Sequence, residues 1–207
     1  MHISRTVSSF LMLALLAGWN ETTTAHAIGP SLSSSKALVQ STQVGKTMFA
    51  PGDTDKGGHG QLIDGIEGSS QEMLKTHIHV HLSLFYKGEQ IAIPYGIGIV
   101  KPFRVENGFV GAGQGYYWLH THDATGILHI ESPDNRSYTL GNFFNIWGEP
   151  LNSHNVAGLK GKVRVFVDRK PYAGDARKIV LTPHEQITLE VGRPFVAPPV
   201  YVFPQGL

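Results

Sequence analysis

Between His77 and Tyr86 apolar and polar side chains alternate without interruption: Ile78, Val80, Leu82 and Leu84 fall on one face, His77, His79, His81 and Ser83 on the other. A period of two is the signature of a strand. Lys87-Gly88 suits a tight turn and 90–93 a returning strand, which Pro94 ends because it has no N–H to give to a ladder. The same alternation predicts a strand over 116–122, with Tyr116, Trp118, His120 and His122 on one face. After a turn at Asp123-Ala124-Thr125, a third strand over 127–131 sets His129 beside Glu131. Two more are expected over 163–167 and 187–191, separated by turn material at 169–171 and 173–175.

The period changes at Thr139. Leu140, Phe143, Phe144 and Trp147 recur at helical spacing, Thr139 is a capping residue, and Gly148 can end the helix in a left-handed conformation. Ser69 with Glu72 three residues later has the form of a capping box, which predicts a helical turn before Thr76. Many short strands, frequent turns and one or two short helices predict a mainly β fold, an antiparallel sandwich or partly open barrel, over residues 61–207. Within it, 158–207 could form a small separate lobe. Residues 28–60, rich in Ser, Thr and Gly, read as a weakly structured arm.

The first 27 residues contain one early positive charge (Arg5), an apolar run from Phe10 to Ala17, a polar stretch, and Ala25-His26-Ala27. That order predicts an export signal cleaved after Ala27. The run is too short to cross a hydrocarbon core of about 30 Å, which takes about 20 residues. No later segment is apolar for long enough to anchor the chain, and no cysteine follows the run to carry a lipid. The expected product is exported, periplasmic or extracellular, without a stable membrane anchor.

Composition narrows the chemistry. With 41% hydrophobic residues, 16% charged and a formal net charge of +1, the 207-residue chain has material for a core and no basic face for nucleic acid. It has no cysteine, so disulfides, thiolate metal sites and a cysteine nucleophile are excluded, and any metal must be held by nitrogen and oxygen. The glycine-rich pieces at 96–98 and 111–115 lead into no phosphate-binding helix, and no serine sits in a nucleophile elbow.

Histidine remains. Six of the 11 histidines fall in two short windows, 77–81 and 120–129. Side chains two apart on a strand project from one face roughly 6.6–7 Å apart, so His79/His81 and His120/His122 can each converge on an ion. The candidate metal ligands are therefore His79, His81, His120 and His122, with His129 and Glu131 as further ligands or their supports. His59, His154 and His184 are isolated in loops and read as structural or exposed. An imidazole-rich site without sulfur suits copper first, by the Irving–Williams order, with zinc and iron as alternatives. Beyond residue 27 only Met48 and Met73 offer thioethers, which argues against a Cu(I) shuttle. Three functions fit: a metal-binding or metal-handling protein; a metalloenzyme, either a copper oxidase or a zinc hydrolase using Glu131 or Asp123 as base; or a β module whose histidines merely face water. The sequence does not decide whether there is a reaction or a protein partner.

The blocks HIHVHLSLFYKGEQIAIPYGIGI, YYWLHTHDATGILHIESP and YTLGNFFNIWGEPL, covering about 77–151, resemble those of a set of bacterial exported proteins without an assigned activity. The resemblance implies a shared histidine-built site at His79, His81, His120, His122 and His129. His-x-His with a downstream Glu is also loosely similar to the first motif of the cupins, β-barrel proteins in which two histidines and a glutamate hold one metal. Here Glu131 lies nine residues beyond His122 with His129 between them, and the cupin glycine framework is missing.

Overall fold

A computed structural model of the chain describes residues 37–38, 41–52 and 55–207. The expected export signal (1–27) and residues 28–36, 39–40 and 53–54 of the expected arm lie outside the described residues. The described residues are mainly β, in antiparallel and mixed sheets with one α-helix and no closed barrel among them, an arrangement that fits a β-sandwich.

The central sheet has seven strands: β1 (Thr76–Tyr86), β2 (Glu89–Ile91), β3 (Leu119–His120), β4 (Ile127–Ser132), β5 (Val163–Val167), β6 (Lys170–Tyr172) and β7 (Gln186–Val191). Their order is β6-β5-β7-β1-β4-β3, with β2 paired to the C-terminal end of β1. The alternating run at 77–86 thus becomes the spine, and its turn has positive φ at both Lys87 and Gly88, the geometry that matches strand twist in a two-residue hairpin. Most pairings are antiparallel, but β7 runs parallel to β1, Gln186 opposite His81 through Val191 opposite Tyr86.

Residues 158–207 supply β5, β6 and β7 to the central sheet and fall in the same compact unit as the other described residues. The described part of the N-terminal arm has little regular structure but is pinned to the domain. Val44 N donates to Ala124 O, Lys46 N to Gln90 O (both 2.9 Å), and Phe49 meets Trp147 edge-on at 5.2 Å.

Two local expectations are corrected. The capping-box pattern at Ser69/Glu72 forms no helical turn: Gly68–Ser69 is a two-residue strand, and the Ser69 hydroxyl donates to Gln71 O. A single turn cannot repay helix nucleation against the pairing of Gly68 with Tyr117. The strand expected over 116–122 is broken at Trp118. Gly115–Tyr117 joins a small sheet with Gly68–Ser69 and Ile99–Val100, whereas β3 pairs with β4.

Helix α1 (Leu140–Trp147) forms where its period and caps predict. Thr139 Oγ1 accepts from Asn142 N at 3.3 Å and Asn142 Oδ1 accepts from Thr139 N at 2.9 Å, a reciprocal cap. Gly148 ends it at φ 77°, and a Cβ there would come within 2.4 Å of the Lys56 backbone. Leu140, Phe143, Phe144 and Trp147 share one core with Val80, Leu82 and Leu84 of β1 and Leu128 and Ile130 of β4. The helix thus covers the apolar face of the sheet and leaves the histidine face to other elements. Because Phe144 is fully buried, Phe144→Ala should cost about 3–5 kcal/mol of unfolding free energy in a denaturant titration. A cost below about 1 kcal/mol, typical of surface positions, would mean that α1 does not close this core.

Candidate metal centre

The polar face of the sheet is covered. His79, His81, His120, His122, His129 and Glu131 are all buried, His120 completely. Three adjacent strands put them in a row: His120 of β3 lies opposite His129 of β4, His129 opposite His79 of β1, and Glu131 opposite His77. The His129 ring stacks on His120 at 5.4 Å and stands edge-on to His79 and His122 at 4.6 and 4.7 Å. The two histidine windows meet. Phe109, from the hairpin Arg104–Glu106 and Phe109–Ala112, covers His122 with a stacked ring at 4.8 Å.

Among the described residues, two groups of four could hold a metal ion: His77, His79, His129 and Glu131; and His120, His122, His129 and Glu131. In each, one ligand atom per residue lies within 4.8 Å of all the others. His77 Nε2 and His79 Nε2 are 3.2 Å apart, His120 Nε2 and His122 Nε2 3.1 Å. Two nitrogens bonded to one ion at about 2.0–2.1 Å, at tetrahedral to right angles, stand roughly 2.9–3.4 Å apart, so both pairs have the spacing of a chelate.

The hydrogen bonds sharpen the inner group. His120 Nδ1 is 2.8 Å from Tyr117 O and His122 Nδ1 2.6 Å from Val110 O. A carbonyl only accepts, so each Nδ1 carries a proton and donates, and Nε2 is the nitrogen whose lone pair is left for a metal. The two lone pairs face each other. The nearby carboxylates add only acceptors: Glu72 Oε1 lies 3.4 Å from His122 Nε2 and Glu131 Oε2 4.0 Å from His120 Nε2. Glu131 Oε2 is buried and has no hydrogen-bond partner among the described residues. The buried acceptors of His120, His122 and Glu131 are unfavourably placed until a cation joins them.

At His120, His79 and His129 a proton is a poor candidate for that cation. Burial, followed by the neighbouring His129, depresses the pKa of His120 to about 3, and burial with the adjacent His77 takes His79 to about 4. Burial also drives His129 well below the ordinary histidine value. These rings are neutral near pH 7 and ready to ligate.

His81 is not in either group. Its Nε2–H donates to Thr125 O at 2.9 Å, its Nδ1 faces the Ser83 hydroxyl at 3.4 Å, and its ring stacks on Tyr201 at 3.7 Å. With both nitrogens engaged it is a satisfied core histidine, its pKa lowered to about 4 by burial. The structure brings His79, His120, His122, His129 and Glu131 together and turns His81 away. It adds His77, which the alternation places on the same face, and Glu72, for which the sequence carries no signal. His154 pairs with Ser153 Oγ at 2.8 Å and His184 with Leu207 O at 3.0 Å, outside both groups.

A cavity of about 420 Å³ reaches this face, with His129, Asp123, Phe109, Ile127 and Tyr201 on its wall. Burial raises the pKa of Asp123, against the pull of the Thr125 hydroxyl and amide bonded to it. A groove of about 660 Å³ beside β5 and β6 is lined by no histidine. Among the described residues no helix is long and apolar enough to cross a membrane. No protein-family model, curated protein or solved structure matches the chain.

Proposed function

We propose that this is an exported protein that holds copper as Cu(II) on His120, His122, His129 and Glu131. One observation carries the metal reading: the opposed Nε2 lone pairs of His120 and His122, 3.1 Å apart, with both Nδ1 positions committed to backbone carbonyls. That arrangement is preorganised for a cation that takes nitrogen ligands. The choice of copper rests on the affinity order of divalent ions at imidazole sites and on the absence of cysteine. Export rests on the signal-like pattern of residues 1–27 and on the resemblance of blocks 77–151 to bacterial exported proteins.

The test is metal analysis of protein purified from the exported fraction, wild type beside the His120→Ala/His122→Ala double variant. Stoichiometric copper in the wild type and its loss in the variant are expected. Negligible metal in both, or equal metal in both, removes the site; stoichiometric zinc or iron replaces copper and leaves the ligand set standing.

A second reading, catalysis at the same ion, is favoured by the cavity beside His129. With Glu131 among the ligands, the carboxyl on the cavity wall is that of Asp123, whose pKa burial raises toward neutral pH. Magnetic resonance of the copper-loaded protein in deuterated water separates the two. An exchangeable water on copper supports catalysis, and a ligand set closed by the protein supports storage or delivery.

A further inference from the structure

Glu131 belongs to both groups, and its two oxygens face different ones. Oε1 is 3.3 Å from His77 Nε2 and 3.3 Å from His129 Nδ1; the partnerless Oε2 is turned toward His120 Nε2 at 4.0 Å. The chelating pairs themselves are disjoint, His77/His79 on β1 and His120/His122 on and just beyond β3, with the His129 ring between them. A single ion uses one pair and leaves the other as two imidazoles in contact beside a carboxylate.

We infer that the centre is dinuclear: a second late first-row divalent ion binds His77 and His79, and the Glu131 carboxylate bridges it to the ion on His120 and His122. This deepens the metal-binding reading and rests on it. A carboxylate bridge fits the spacing of about 3.5–4 Å common to two-metal sites, and its negative charge offsets part of the repulsion between two dications. The sites are unequal. His120 and His122 are buried and tied to carbonyls, whereas the His77 side chain is 43% exposed at the rim. The inner ion should bind first, and the outer one more weakly, against both solvent and the charge already present.

Stepwise Cu(II) titration of the metal-free full chain, followed by calorimetry and electron paramagnetic resonance, tests this. Two equivalents are expected in separable steps. The first gives an isolated-copper signal; the second lowers the integrated intensity below two spins, because the bridged ions couple. His77→Ala should retain the first step and lose the second, and Glu131→Gln should weaken the second at least 10-fold. Two steps with full, uncoupled intensity, insensitive to His77→Ala, would mean that the second copper sits elsewhere on the surface. A single equivalent that His77→Ala leaves unchanged overturns the dinuclear centre but spares the metal reading. No binding at all overturns both.

Discussion

Loading the metal-free protein with copper should raise its melting temperature by roughly 8–16 °C, and the His120→Ala/His122→Ala variant should show no such rise. An ion that binds the folded chain alone stabilises it by about 4 kcal/mol at a free concentration 1,000 times its Kd. For a domain of this size each kcal/mol moves the midpoint by about 2–4 °C. Only the folded chain can offer the full ligand set, because His120, His129 and His79 come from three different strands and meet through the register of β3, β4 and β1. The metal-free protein moreover keeps two opposed ring nitrogens and a buried carboxylate oxygen without a partner among the described residues, which an ion would satisfy. Differential scanning fluorimetry with and without a chelator measures the shift. A shift below about 2 °C under saturating copper, or one that survives in the variant, would show that the histidine face does not bind the ion as a unit.

The second large effect is acid lability of the metal-free protein. The His81 and His120 rings, 1% and 0% exposed, have pKa values lowered from 6.5 to about 4 and about 3. As pH falls below 6.5 the unfolded chain takes up protons on these rings that the folded chain refuses. Stability is therefore highest above pH 6.5 and is lost progressively down to about pH 4 for His81 and about pH 3 for His120. Shifts of this size are worth about 3 kcal/mol per ring or more, so two rings remove a large share of a typical 5–15 kcal/mol. Urea midpoints measured in chelator between pH 7 and 4.5 should fall steeply, and His81→Phe, which removes one of the protons taken up, should flatten the slope. A midpoint that does not change over this range would mean that the rings are not held neutral by burial. Copper should hold off the loss, since its ligand rings cannot be protonated until the ion leaves.

How much of this was legible in the sequence differs from element to element. Helix α1 could be read almost to the residue, because Thr139, the 140/143/144/147 stripe and Gly148 act within a few positions of one another. The hairpin at Lys87-Gly88 and the strands around 77–86, 127–131, 163–167 and 187–191 were legible for the same reason. The pattern at Ser69/Glu72 was equally local but misleading: strand pairing with Tyr117 claims Ser69's neighbour, and Glu72 approaches His122.

The sequence by itself determined the strand periods, the exclusion of cysteine ligands and the gathering of histidines on one face of two windows. A period of two states which side chains share a face; it is silent on what covers that face and on which strands become neighbours. Only the tertiary structure decided that the face is buried, that His120, His129 and His79 form a row, and that Glu131 belongs to both groups of residues that could hold an ion. It also decided the fate of His81, because Thr125 and Tyr201, which engage its ring, lie 44 and 120 positions away in the chain. Metal chemistry depends on distances between atoms on different strands, and those distances are set by register and packing, which no local pattern of residues encodes.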